Sequence, residues 1–237
     1  MCGGEDPTDH PMCLNVLEGA RRTVPPKQSK KDPMTTEVLV TMCSSLREGG
    51  PSLRVMRFLC LAVLTFAGFL RISEALSLRT RDVSRSAGYL VLTIRKSKTD
   101  VYGAGAKVVV SAGQTAACPV RIFDSYLRLL GPSQKSNFFL FRPLLPADRK
   151  KLGPGDRPMN YSRAREELKH FLAQLDFDPA AYTWHQFRHG GATAASAAGV
   201  PERLISVHGR WKSEAARNHY LHDSISRKMS VSDRLGL

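Results

Sequence analysis

Leu39, Met42 and Leu46 recur at intervals of three and four, with Val38 beside them, after Thr35-Thr36-Glu37 and before Gly49-Gly50. That spacing lines one side of a helix, opened by hydroxyl residues and stopped by the glycine pair. Beyond Pro51 the polar positions thin out: the longest apolar run, 59–70, is broken by Thr65. A second helix through 58–66, buried on most sides, is predicted there, and a third from about 71 to 78. Residues 82–87 read as a turn. Residues 89–95 alternate as a strand does, 107–110 form another, and Gly103-Ala104-Gly105 lies between, which predicts a small antiparallel sheet with Lys98 at its loop end. Helices follow at about 118–130, 160–175, 185–198, 201–207 and 213–220. The stretch 131–159 is irregular, with Phe138-Phe139-Leu140-Phe141 as a candidate buried patch. At the other end, Met12, Leu14, Val16 and Leu17 ahead of Arg21 and Arg22 read as the tail of a helix, and 25–33 as a linker. The expected fold is mainly α with a small antiparallel β-sheet, an α+β class.

Composition narrows the partner. With 237 residues, 42% of them hydrophobic, the chain can bury one substantial core. Its net charge of +14 argues for a polyanion, nucleic acid first, and for binding that weakens steeply with salt. The cations cluster: Arg21, Arg22, Lys27, Lys30 and Lys31 form a run with no acid among them, and residues 79–98 hold six cations against Asp82. A solvated basic face is the competing reading. Five scattered cysteines with no C-x-x-C pair signal neither a disulfide framework nor a zinc site, which implies a reducing compartment. The apolar run falls short of the roughly 20 residues a membrane helix needs, and the polar N-terminus carries no signal peptide, so the nucleus or the bacterial cytoplasm and nucleoid is expected. No metal-ligand cluster or phosphate-binding glycine loop appears.

Four segments carry chemistry. In Gly68-Phe69-Leu70-Arg71-Ile72-Ser73-Glu74, Arg71 follows apolar chain and is either paired with Glu74 one turn on or aimed at an anion in a cleft. Its planar fork suits two phosphate oxygens better than an ammonium does. In Arg95-Lys96-Ser97-Lys98-Thr99 a lysine on a mobile loop can protonate a leaving oxygen. Lys96 and Lys98 both stand there, and a solvated strand-end lysine is the plain alternative. In Trp184-His185-Gln186-Phe187-Arg188-His189-Gly190-Gly191, His185 and Arg188 stand three apart and share a helix face. Each glycine costs about 1 kcal/mol inside a helix, which points to close packing. Finally, Trp211 precedes Tyr220 by nine positions. An indole N–H can donate to a phosphate oxygen but cannot transfer a proton, and a lone tyrosine is by default a packing residue.

Taken in this order, these segments resemble the catalytic domain of the tyrosine recombinases, the phage integrase family, over about 33–237. The resemblance implies that Tyr220 is the nucleophile on a DNA phosphate, that Arg71, Arg188 and Trp211 stabilise the transition state, and that Lys98, with Lys96 as its rival, and His185 move protons; no metal and no cofactor would be needed. Glu74 and His189 would support them. DNA contacts would come from Arg21, Arg22, Lys30, Lys31, Arg95, Lys96, Arg210 and Lys212. It further implies a double-stranded DNA partner, a homotetramer on two duplexes with residues 223–237 docking on a neighbour, and integration or excision of a mobile element. Residues 1–32 would represent a remnant of the family's N-terminal core-binding domain plus linker; a fragment and an open reading frame cut from a longer element both stay open. The tryptophan variant, the basic leader and Lys31-Asp32-Pro33-Met34-Thr35 are similar to recombinases of DIRS-like retrotransposons. Two alternatives stay open: type IB topoisomerase-like religation, and a truncated, non-catalytic DNA-binding remnant.

Overall fold

The computed structural model describes residues 10–23, 33–48, 52–97, 104–131, 134–145, 153, 155–221 and 229. Lys30, Lys31 and Lys98 lie outside them, as do most of the predicted 25–33 linker and Gly103. The chain divides into two units, Met1–Lys31 and Asp32–Leu237. The first contains one described helix, α1 (Pro11–Thr23), on which Met12 and Val16 are about 70% exposed. Among the described residues no helix is long and apolar enough to cross a membrane.

The second unit is built around α3 (Leu53–Ala67). Ser52 caps it, its side chain accepting from the Val55 N–H at 3.2 Å. Almost every residue from Met56 to Thr65 is fully buried, because α3 is enclosed by α2 (Thr36–Glu48), the one-turn helix α4 (Ile72–Leu76), α5 (Pro119–Leu130) and α7 (Trp184–Ala197). A helix apolar on most sides belongs at the centre of a core. The remaining helices are α6 (Tyr161–Ala173), α8 (Glu202–Gly209) and α9 (Glu214–Asn218).

Three antiparallel strands, β1 (Val83–Ser86), β2 (Tyr89–Ile94) and β3 (Ala106–Ser111), run in the order β1-β2-β3, with Val83 opposite Leu92 and Leu92 opposite Val108. Leu90, Leu92, Ile94, Val108 and Val110 form the buried face against α5. β1 replaces the turn expected over 82–87. Its sequence Val-Ser-Arg-Ser holds one apolar residue, so alternation does not show, yet an edge strand with polar side chains needs no more. The turn itself shrinks to Ala87-Gly88, where Gly88 has φ 82. The Phe138–Phe141 patch divides: Leu140 and Phe141 are fully buried, while the half-buried rings of Phe138 and Phe139 lie under Arg142 and Arg79 at 4.7 and 4.0 Å.

One element of the core is ionic. Arg57, on α3 and fully buried, donates to Glu167 Oε1 of α6 at 2.5 Å and to the Arg142 carbonyl at 2.6 Å. Removing one partner of a buried pair strands the other in low dielectric. Glu167→Ala is therefore expected to lower unfolding stability by about 3–5 kcal/mol, whereas the paired replacement Arg57→Met with Glu167→Leu should recover most of that loss. Urea unfolding of the three proteins checks this, and equal stabilities would refute it.

Candidate active site

Glycines bring the pieces of the site together. Gly68 ends α3 where an added Cβ would sit 2.9 Å from the Leu64 carbonyl. Phe69 then takes left-handed backbone, φ 45, uncommon for a bulky residue. The chain turns at that point, and Arg71 enters α4 with its backbone N–H donating to Glu74 Oε2 at 2.8 Å. On α7, Trp184 and Phe187 anchor one face in the core beside Phe58, which leaves His185, Arg188 and His189 on the other. At Gly190 and Gly191 a Cβ would fall 1.8 Å from the Met34 carbonyl and 2.2 Å from the Phe66 carbonyl. Only bare backbone lets α7 lie this close to the end of α3, which is the packing reason expected for the pair. Gly209 is similarly crowded by the Trp211 ring, 1.9 Å from the position of a Cβ.

These approaches gather three guanidiniums around one carboxylate. Arg71 Nη1 donates to Glu74 Oε1 at 2.9 Å and to Ser97 Oγ at 2.8 Å, and the Ser97 hydroxyl donates to Glu74 Oε1 at 2.8 Å. Arg210 Nη2 meets Glu74 Oε2 at 2.8 Å. Arg188 Nη1 stands 3.9 Å from the same oxygen and donates instead to the Phe69 carbonyl, while its Nη2 donates to the Gly209 carbonyl at 2.7 Å. Above Arg188 lie two rings, Trp211 at 4.7 Å and Tyr220 at 5.1 Å from its guanidinium carbon. Tyr220, two residues past the end of α9, is in turn surrounded by the rings of His189, Trp211, His185 and His219, with centroids at 4.4, 5.1, 5.3 and 5.7 Å. Thr193 Oγ1 holds its carbonyl at 3.2 Å.

The family model for the phage integrase family matches residues 33–227, most of the chain. This protein belongs to the phage integrase family. Among curated proteins it is similar to an integrase/recombinase xerD homolog of Selenomonas ruminantium, 23% identical over 234 residues, covering 98% of this chain and 66% of the relative. Among solved structures, XerA recombinase superposes with a TM-score of 0.62 at 17% identity, covering 94% of this chain and 73% of that one. XerH site-specific recombinase bound to palindromic difH substrate, a post-cleavage complex, gives 0.61 at 17%, over 86% and 53%. The Tn1549 transposon integrase in complex with circular-intermediate DNA gives 0.60 at 14%, over 94% and 76%. The chain thus spans just under two thirds of the curated relative and about half of the XerH chain, and it has the fold of these recombinases: mostly helical with one small antiparallel sheet.

In this phage integrase domain the charges do not balance locally. Three guanidiniums against Glu74 leave two positive charges in excess within the cluster. Burial, and then repulsion from Arg71 and Arg210, push Arg188 down to about 10, still charged at neutral pH. For Glu74 burial acts upward but is outweighed by Arg210, Arg71 and Ser97, and the carboxyl falls below its ordinary range. Lost hydration, then Arg188, His219 and Arg71, hold His185 below the usual imidazole value, so it is neutral and able to accept a proton at neutral pH. Among the described residues neither the Trp211 indole N–H nor Arg188 Nε meets an acceptor.

Arg71, Glu74, His185, Arg188, His189, Trp211 and Tyr220 therefore converge. Of the residues expected to contact DNA, Arg95 is exposed and paired with Asp82 at 2.6 Å, Lys96 and Lys212 are exposed, and the side chains of Arg21 and Arg22 lie outside the described residues. Arg210 departs from that group: it points inward, onto Glu74. Ser97 carried no signal of its own in the sequence beyond standing next to Lys98. His208 packs, donating to the Ala67 carbonyl at 2.8 Å against the Phe69 ring.

Proposed function

We propose that this chain cleaves and rejoins DNA strands through a 3′-phosphotyrosyl intermediate, as the catalytic part of a site-specific recombinase acting in integration or excision of a mobile element. The observation that carries the reading is the placement of Tyr220 over Arg188, with Arg71 beyond it and neutral His185 beside it. An excess of two positive charges in a partly buried cluster favours an anion with two non-bridging oxygens. Tyr220 Oη attacks the phosphorus and passes its proton to His185; the P–O5′ bond breaks, and Lys98 protonates the departing 5′ oxygen. Arg71, Arg188 and the Trp211 N–H receive the charge that develops on the phosphate. Attack by another strand's 5′ hydroxyl reverses these steps, and the phosphotyrosine conserves the bond energy. Residues 33–237 act as the catalytic domain, and 1–32 as a remnant of an N-terminal core-binding domain plus linker. Double-stranded DNA is the partner, and the assembly is a homotetramer on two duplexes.

The test is a trapping experiment with a library of nicked duplexes of randomised sequence. Cleavage a short way 5′ of the nick releases the short 5′-hydroxyl oligonucleotide that ends there and leaves protein on the DNA. An SDS-resistant band whose phosphotyrosyl peptide contains Tyr220 supports the reading; DNA binding with no adduct overturns it in favour of a non-catalytic remnant. Plasmid relaxation without strand exchange would instead favour the type IB topoisomerase-like alternative.

A further inference from the structure

Arg210 neighbours Trp211, and its sequence position groups it with the DNA-binding cations, yet its geometry turns it away from any ligand. It closes α8 in left-handed backbone, φ 58 and ψ 36, where glycine is the easy choice. Its side chain is 10% exposed. Nη2 donates to Glu74 Oε2 at 2.8 Å and to the Phe69 carbonyl at 3.0 Å; Nη1 donates to the His208 carbonyl at 2.9 Å and to the Gly68 carbonyl at 3.3 Å. The four terminal N–H groups of the guanidinium are thereby all engaged on the protein, and the fifth, Nε–H, is buried without an acceptor.

Two of those acceptors are the ones on which the neighbouring arginines depend. Glu74 holds Arg71 through Oε1, and the Phe69 carbonyl holds Arg188. By occupying Glu74 Oε2, Arg210 also keeps that carboxylate from drawing in Arg188, which stands off at 3.9 Å. We infer that Arg210 is a positioning residue, setting the guanidiniums of Arg71 and Arg188 for the scissile phosphate through Glu74 and the Phe69 carbonyl. The inference rests on the strand-cleavage reading above. It also explains why an arginine occupies a left-handed position: Phe69 and Arg210, both strained, are joined directly by a hydrogen bond beside the site.

Arg210→Gly is the informative variant, because glycine suits the backbone and only the side chain is lost. With the sequence recovered from the nicked library, single-turnover cleavage at saturating protein, DNA affinity and thermal unfolding are measured for the full chain, Arg210→Gly, Glu74→Gln and the double variant. Misaligned reacting groups cost on the order of 10²-fold, so cleavage by Arg210→Gly should fall about 10- to 100-fold with affinity unchanged. The double variant should cleave no more slowly than Glu74→Gln alone. On a duplex whose scissile phosphate is a neutral methylphosphonate, the gap between wild type and Arg210→Gly should narrow toward parity, which a general loss of folding would not produce. Wild-type cleavage by Arg210→Gly, a loss confined to affinity, or effects that multiply in the double variant would each overturn the inference. A wild-type chain that makes no adduct would sink the strand-cleavage reading instead; the unfolding midpoints then decide, with non-additive shifts supporting the Arg210–Glu74 linkage and additive ones overturning it.

Discussion

Tyr220→Phe binds DNA as the wild type does and forms no covalent adduct: this is the expected result, with a rate loss of at least about 10⁴-fold, the scale seen when a nucleophile is deleted from an otherwise intact site. Only one oxygen is removed. The ring contacts with His189, Trp211 and His185, and the placement over Arg188, belong to the carbons that phenylalanine retains. The backbone carbonyl held by Thr193 is likewise untouched. Folding and affinity should therefore be preserved, and the SDS-resistant band on nicked DNA should vanish. An adduct of wild-type intensity would remove Tyr220 from the role of nucleophile, leaving the surrounding imidazoles as the next groups to consider.

Much of this site could be read along the chain because its parts are local. Arg71 and Glu74 are three apart, as are His185 and Arg188, and helical geometry alone places each pair on one face. The nine positions that separate Tyr220 from Trp211 span one turn and one short helix, so their proximity too is set nearby. The core helix α3 announced itself by an apolar run. What escaped was decided by distant contacts. Arg57 sits within α3 like any helix-forming arginine, and its partner Glu167 is 110 positions away. Arg210 reads as one more cation of a basic surface until Glu74, 136 residues upstream, is brought beneath it. β1 escaped for a different reason: a four-residue edge strand with one buried side chain has no period to detect. The glycines show both cases. Gly190 and Gly191 signalled close packing, but which carbonyls they admit, those of Met34 and Phe66, depends on the tertiary fold.

The second large effect is expected at Arg188, where structure and chemistry coincide and the experiment has to separate them. Its side chain is fully buried, yet it makes no close ion pair; the two hydrogen bonds of its fork go to the backbone carbonyls of Phe69 and Gly209. Arg188→Ala takes this donor from both carbonyls; Phe69 keeps its bond from Arg210, and the loss at the Gly209 carbonyl costs about 1–3 kcal/mol if it stays dry, so a lower unfolding midpoint is expected. The catalytic loss should be larger than that shift can explain: deleting one preorganised donor costs about 10²–10³-fold in rate, and cleavage of bound substrate should fall by that much at a temperature where the variant is still folded. DNA affinity should change little, because one buried charge among many exposed cations adds little to counterion release. Arg188→Lys separates the two roles. An ammonium can restore charge and satisfy one carbonyl, but it cannot span both carbonyls or present a planar fork to two phosphate oxygens. The lysine variant should therefore regain most of the stability while cleavage remains well below wild type. Should lysine restore cleavage in proportion to stability, Arg188 would be a brace between α3 and α8 and nothing more, and the charge that stabilises the phosphate would have to come from Arg71 alone.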